Sequence, residues 1–251
     1  MSVENLPEVV SPEEWLAARK QLLQREKELT HARDALSAER RRLPMVRIEK
    51  NYRFSGPDGE VGLLDLFGDR QQLLLQHFMY DPSWDRPCTS CTAMADAMSE
   101  PVRAGLHRRN TTYVAVSRAP YPQLQSWRET RGWTFPWYSS FGSEFNYDFH
   151  VTIDASVTPV EYNYRSQADL EAADIAWREW SGEQPGISCF LRDGDEVFHT
   201  YSTFGRGVEV MMPAYPLLDL TAFGRQEEGE EPAGRAPVVY PADPALPEPT
   251  S

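Results

Sequence analysis

Cys88-Thr89-Ser90-Cys91 is the stretch of this chain whose residue types and spacing bear most directly on chemistry. It follows Leu73-Leu74-Leu75-Gln76-His77-Phe78-Met79, a near-continuous apolar run with the length of a buried central strand, and it crosses a polar loop to get there. Cys91, Met94, Ala95 and Met98 then recur at helical spacing, so the pair opens a helix. A helix N-terminus offers unpaired amide donors and the positive end of a dipole, both of which favour a thiolate. A two-residue spacer lets the second thiol reach the first and close a small disulfide. At a strand-to-helix junction this spacing reads as a dithiol redox motif.

Two other readings stand beside that one. A structural zinc site needs four ligands and the chain has three cysteines, but Cys88 and Cys91 joined by His77, His150 or His199 would suit Cu(I) or Zn(II). Inert buried thiols are the other alternative. Cys189, between Ser188 and Phe190 on an expected buried strand, reads as a core thiol.

The elements that must position the pair can be read around it. Ser11-Pro12-Glu13-Glu14 is a capping-box start for a long helix. Along that helix Trp15, Leu22, Leu29, Leu36 and Leu43 recur every seven residues until Pro44. This arm, residues 1–45, either packs on its own domain or forms a homodimer contact. Residues 46–224 alternate strand-like and helix-like patterns, which argues for an α/β layer architecture. Tyr52 to Phe54 and Val61 to Leu64 flank a turn composition and read as a hairpin. Thr111 to Ser117 reads as a strand, Pro120 to Arg131 as a helix and Thr134 to Tyr138 as a strand. Ile187 to Arg192 and Glu196 to Ser202 form a second hairpin, and a helix is expected after Gly207. Residues 225–251 hold six prolines and six acidic residues, the composition of a disordered acidic tail.

Composition bounds the function. The 251 residues carry 25 Lys+Arg against 38 Asp+Glu, a net charge of −13 that argues against nucleic-acid binding. With 41% hydrophobic and 12% aromatic residues there is material for one sizeable core. The apolar runs are too short to span a membrane, and Met1-Ser2-Val3-Glu4-Asn5 lacks the basic and apolar regions of a secretory signal. A cytoplasmic location is the expectation.

With these residues assembled, residues 6–228 resemble the thioredoxin fold. More closely they resemble an uncharacterised bacterial family of thioredoxin-like proteins described as predicted dithiol-disulfide oxidoreductases. The resemblance rests on Gln76-His77-Phe78-Met79-Tyr80-Asp81-Pro82, Cys88-Thr89-Ser90-Cys91, Val116-Ser117-Arg118-Ala119-Pro120, Gly132-Trp133-Thr134-Phe135-Pro136-Trp137, Phe145-Asn146-Tyr147-Asp148-Phe149 and Phe198-His199-Thr200-Tyr201-Ser202. It implies a central mixed sheet flanked by helices, with the long N-terminal helix and the acidic tail as additions.

It also implies a dithiol site in which Cys88 is the nucleophile and Cys91 resolves the mixed disulfide. Pro185, before the last hairpin, takes the place of the cis-proline that faces the disulfide in thioredoxin-fold proteins. His77 aligns with the buried carboxylate on the thioredoxin central strand, where an imidazole could move a proton. Trp84, Thr89, Ser90 and Trp137 are the substrate-contact candidates. Trp137 enters because eight of the 17 residues from Trp133 to Phe149 are aromatic, and an aromatic groove would suit an apolar or peptide substrate.

Departures from better-known relatives limit the carry-over. Pro87 and Thr89-Ser90 replace the Trp and Gly-Pro of thioredoxins, so a thioredoxin-like potential does not transfer. Peroxiredoxins place Pro seven and Thr or Ser three residues before their reactive cysteine. Here Asp81 and Asp85 precede Cys88 at those distances, and Trp84 and Cys88 precede Cys91, which disfavours direct peroxidase chemistry. The expected partners are an unidentified thiol or disulfide substrate and a recycling reductant, with no resident cofactor unless copper or zinc binds. A non-catalytic dimeric binding module is the alternative from a different class.

Overall fold

The computed structural model describes residues 6–175, 181–227 and 230–232. Most of the expected tail, and residues 176–180, lie outside the described residues. The described residues divide into two compact units, one of residues 45–212 and one that groups the N-terminal arm with Pro213 and the described residues after it.

In the second of these units, α1 (Pro12–Arg40) begins where the capping box predicts. The Glu14 amide donates to Ser11 Oγ at 3.3 Å, and Glu14 Oε2 accepts the Ser11 amide at 2.9 Å. The helix stops at Arg40, ahead of Pro44. None of its residues is buried, and Trp15, Leu22, Leu29 and Leu36 of the seven-residue series are exposed.

The remaining elements, in chain order, are β1 (Val46–Arg47), β2 (Arg53–Gly56), β3 (Gly59–Gly62), β4 (Gln72–His77), α2 (Thr89–Ala97), α3 (Glu100–His107), β5 (Thr111–Ser117), α4 (Tyr121–Arg131), β6 (Trp137–Ser139), α5 (Phe145–Asp148), β7 (Thr152–Ile153), β8 (Glu161–Tyr162), β9 (Arg165–Ser166), α6 (Gln167–Ala172), β10 (Gly182–Glu183), β11 (Gly186–Asp193), β12 (Glu196–Phe204) and α7 (Ala214–Leu218). Eight strands form one sheet in the order β1-β12-β11-β4-β5-β6-β2-β3. β4, β5 and β6 are parallel, whereas β11 runs antiparallel to β4 and turns back through β12. A parallel β4-α-β5 crossover followed by an antiparallel hairpin on the other side of β4 is the thioredoxin-like arrangement.

The parity of β4 divides the core. Leu73 and Leu75 join Phe54, Phe67, Phe145, Phe149 and Phe190 on one face. On the other face Phe78 packs with Cys91, Met94, Tyr113, Leu124, Trp137, Val208 and Met211, under α2 and α4. Burying a side chain of this size contributes roughly 1.5–3 kcal/mol.

Two expected elements differ. The strand near Thr134 forms three residues later, at Trp137–Ser139, because Pro136 has no amide for the ladder. The helix expected after Gly207 is the short α7, which begins only at Ala214, because a 3-10 turn, Gly205–Met211, that starts at a left-handed glycine takes up the residues before Met212-Pro213.

Candidate functional site

Cys88 occupies the N-cap of α2, at the C-terminal end of β4. Its amide donates to the Met79 carbonyl at 3.1 Å, tying the intervening loop back to the strand. Its carbonyl accepts from the Thr92 amide at 3.0 Å and from Thr92 Oγ1 at 2.9 Å, which fixes the first turn of the helix. Cys88 is half-buried, Cys91 is fully buried, and all three cysteines are free thiols.

The two sulfurs are electrostatically unequal. The Cys91 thiol donates to Cys88, and this opposes the burial of Cys88; the amides of Cys91 and Ser90 add further donors. Together they lower the Cys88 thiol from 9.0 to about 6. Cys91 moves the other way, raised well above 9.0, first by the proton it shares with Cys88 and then by its burial. Cys189 is pushed up to about 11 by burial alone. The arrangement therefore holds one stabilised thiolate with a protonated thiol one turn behind it.

Of the substrate-contact candidates, Thr89 and Ser90 are exposed on the first turn of α2, and Trp84 is half-buried against the same apolar cluster as Cys88. Trp137 is corrected. It is fully buried, packs against Phe78 with ring centroids 4.6 Å apart, and donates Nε1–H to Ser117 Oγ at 2.9 Å, so it is a core residue.

His77 is corrected as well. It continues the Leu73–Leu75 parity and packs against the adjoining rings of Phe145, on which it stacks, and Phe149, on the face of the sheet opposite the cysteines. There a chain of 2.7 Å hydrogen bonds links His77 Nε2, Ser188 Oγ, Ser202 Oγ and His199 Nε2. His77 Nδ1 is buried and has no hydrogen-bond partner among the described residues. Burial, with the nearby His199, lowers the His77 pKa to about 3. An irregularity in the β11–β12 register beside Cys189 places His199 and Ser202, three residues apart, on one face. A Cβ on Gly186 would lie 2.9 Å from Phe204 and 3.2 Å from the His77 ring, so only glycine fits beneath the imidazole.

Pro185 is a third correction: the Gln184–Pro185 bond is trans, and the one cis peptide among the described residues is Glu231–Pro232. The metal reading fails on placement. Among the described residues no three His, Cys, Asp or Glu side chains converge as a metal site. His77 and His199 lie across the sheet from the cysteines, and the His150 imidazole faces Glu161 Oε1 at 3.7 Å.

The bacterial protein family of unknown function DUF899 matches residues 4–239. The chain belongs to this family. No curated protein matches it. Among solved structures it is similar to PrxQ of Xylella fastidiosa, at 14% identity over 70% of this chain and 95% of that one, with a TM-score of 0.41. It is also similar to peroxiredoxin Q of Xanthomonas campestris, at 13% identity over 68% and 95%, with a TM-score of 0.43. Peroxidoxin BcpB of Mycobacterium tuberculosis stands at 13% identity over 68% and 97%, with a TM-score of 0.40.

In this DUF899 member several residues around the site were not singled out from sequence. Gln76, next to His77 but on the other face, donates Nε2–H to the Cys91 carbonyl at 3.4 Å, and the Tyr113 hydroxyl donates to Gln76 Oε1. Thr92 locks the Cys88 carbonyl. At the same sheet edge Arg118 bridges Asp81 and the buried Glu183, which also accepts from Thr152 at 2.9 Å and Asn146 at 3.2 Å. A cavity of about 430 Å³ opens beside Asp81, Arg118 and Gly182. The i,i+4 relation of Cys88 and Thr92 was available from sequence; the partners of Arg118, up to 65 residues away, were not. Among the described residues no helix is long and apolar enough to cross a membrane.

Proposed function

We propose that the protein is a thiol–disulfide oxidoreductase. The Cys88 thiolate attacks a substrate disulfide R–S–S–R′, forming Cys88–S–S–R and releasing R′–S⁻. Cys91 then attacks the Cys88 sulfur, releasing the second thiol and leaving a Cys88–Cys91 disulfide. The substrate gains two electrons and the enzyme loses them; an external dithiol reductant restores the pair, and the reverse sequence oxidises a dithiol substrate.

The observation that carries this reading is the pair of opposed sulfurs. With a pKa of about 6, Cys88 is roughly nine-tenths thiolate at pH 7. It is also the more accessible of the two, as the attacking atom must be. Cys91 is protonated, buried and hydrogen-bonded to it, the disposition of a resolving thiol. Thr89, Ser90 and Trp84 surround Cys88 as the surface a substrate meets first.

The test is to mix the reduced protein with a small dialkyl disulfide and map the adducts by mass spectrometry. The reading requires a transient adduct on Cys88 that gives way to an internal disulfide, and an adduct on Cys88 that persists in Cys91→Ser. Adducts spread over Cys88, Cys91 and Cys189 without release of the second thiol would refute it.

A further inference from the structure

Resolution of the mixed disulfide requires that Cys91 lose a proton, and the destination of that proton is open. On the Cys91 side of β4 stands Gln76, a neutral amide that neither gains nor loses a proton in the working range. Its Oε1 is taken by the Tyr113 hydroxyl and its Nε2 by the Cys91 carbonyl. Tyr113 is itself buried, and burial raises its pKa above the ordinary 10.0. His77 is behind the sheet.

Several titratable groups on the elements around Cys91 are engaged elsewhere, and in the loop before Cys88 the charge of the exposed Asp85 acts on Tyr80. On its own helix, Asp96 pairs with Arg131 and the Trp133 indole; on α3, Arg103 bonds the Met98 carbonyl and Thr134. In the preceding loop the Tyr80 hydroxyl faces the Asp85 carbonyl, and Arg206 and Glu209 of the 3-10 turn pair with each other. Cys189 on β11 is a protonated thiol. The charge that raises the Cys91 thiol is that of Cys88, and in the mixed disulfide that charge is gone; Tyr113, coupled to Cys91 in turn, is held protonated by its burial and by the Cys91 charge.

We infer that the Cys91 thiol hands its proton to the departing substrate thiolate, while Gln76 and Tyr113 act as positioning residues that hold the Cys91 backbone without competing for the proton. This rests on the exchange reaction proposed above. The step is Cys88–S–S–R + Cys91–SH → Cys88–S–S–Cys91 + R–SH, in which the Cys91 S–H bond and the S–S bond between Cys88 and the substrate sulfur break, and the Cys88–Cys91 S–S bond and the S–H bond of R–SH form. The leaving group is thus base as well as product, and the reaction suits substrates whose thiols are as basic as ordinary alkyl thiols.

The experiment is rapid-quench mass spectrometry of the full chain with hydroxyethyl disulfide, following decay of the Cys88 adduct. The decay rate is expected to change by less than about twofold between about pH 5.5 and 8, because among the described residues the groups beside Cys91, Gln76 and the buried Tyr113, do not change charge there. A tenfold rise per pH unit would mean that Cys91 ionises to solvent first, and a single titration step would mean a protein base; either overturns the inference. Gln76→Glu, which places a carboxylate beside Cys91, is expected to create a step that the unaltered chain lacks. A folded Gln76→Glu with the same flat profile would overturn the placement of Gln76. If that variant does not fold, Tyr113→Phe carries the second arm: its rate must stay flat with pH, and a pH step appearing there overturns the inference. An adduct that never resolves defeats the exchange reaction itself, which separates the two failures.

Discussion

The amide of Gln76 reaches the carbonyl of Cys91 across 3.4 Å, while the next residue, His77, turns to the opposite face of the sheet and bonds Ser188. One step along a strand moves a side chain from one core to the other. That step separates the dithiol from the imidazole nearest to it in sequence.

Replacement of His77 therefore acts on stability rather than on exchange. His77→Asn is expected to leave the rate of Cys88 adduct formation and resolution within about twofold, since the imidazole touches neither sulfur. A drop of more than about tenfold with intact folding would return His77 to the mechanism.

The same histidine sets a pH dependence of folding. Its pKa is about 3 in the folded chain against 6.5 unperturbed, so below pH 6.5 the unfolded chain binds the extra proton. The contribution is complete above pH 6.5 and is lost progressively as pH falls toward 3, by about 1.4 kcal/mol per unit. Urea unfolding at a series of pH values should show this slope in the unaltered chain and a shallower one in His77→Asn. Equal slopes would contradict the buried neutral imidazole.

For Cys88 the shift is also downward, which for a thiol stabilises the folded anion. The reduced protein should gain stability over Cys88→Ser as pH rises from about 6 to 9, and lose that advantage as pH falls through 6. Iodoacetamide alkylation of Cys88 should follow a midpoint near 6. Because the Cys91 thiol is the strongest of its donors, Cys91→Ala should raise the midpoint; an unchanged midpoint would assign the thiolate to the helix amides instead.

Trp137→Phe tests the aromatic segment. The indole is enclosed and bonded to Ser117 Oγ, so the substitution should cost about 1–3 kcal/mol of stability and leave substrate KM unchanged. A change in KM at unchanged stability would make it a substrate contact after all.

Arg118, partly exposed, pairs with the buried Glu183, and removing the arginine strands that carboxylate. Arg118→Ala is expected to destabilise by about 3–5 kcal/mol, and the double change Arg118→Ala with Glu183→Ala by less than the sum of the two singles. Additive effects in the double-mutant cycle would show that the two groups do not depend on each other.

What could be read in the sequence follows from how local each feature is. The capping box at Ser11, the strand Thr111 to Ser117 and the second hairpin are written in contiguous residues, and each formed close to where those residues place it. The dithiol was legible because strand, loop, cysteines and helix follow one another without interruption. The face of His77 was not, because Leu73-Leu74-Leu75 is apolar at both parities and carries no alternation to say which side meets α2. Trp137 looks the same in sequence whether it lines a groove or fills a core. The His77–Ser188–Ser202–His199 chain depends on strand pairing across 111 residues and on an irregular register, neither of which one segment records.

The central claim is that Cys88 and Cys91 exchange electrons as a pair. It is tested most directly by thiol trapping across defined dithiol/disulfide buffers, with the bond located by mass spectrometry. The account predicts a reversible two-electron transition to a Cys88–Cys91 disulfide, with a potential between roughly −120 and −270 mV. Failure of that bond to form at any poise, or a bond that instead joins Cys189, would contradict it.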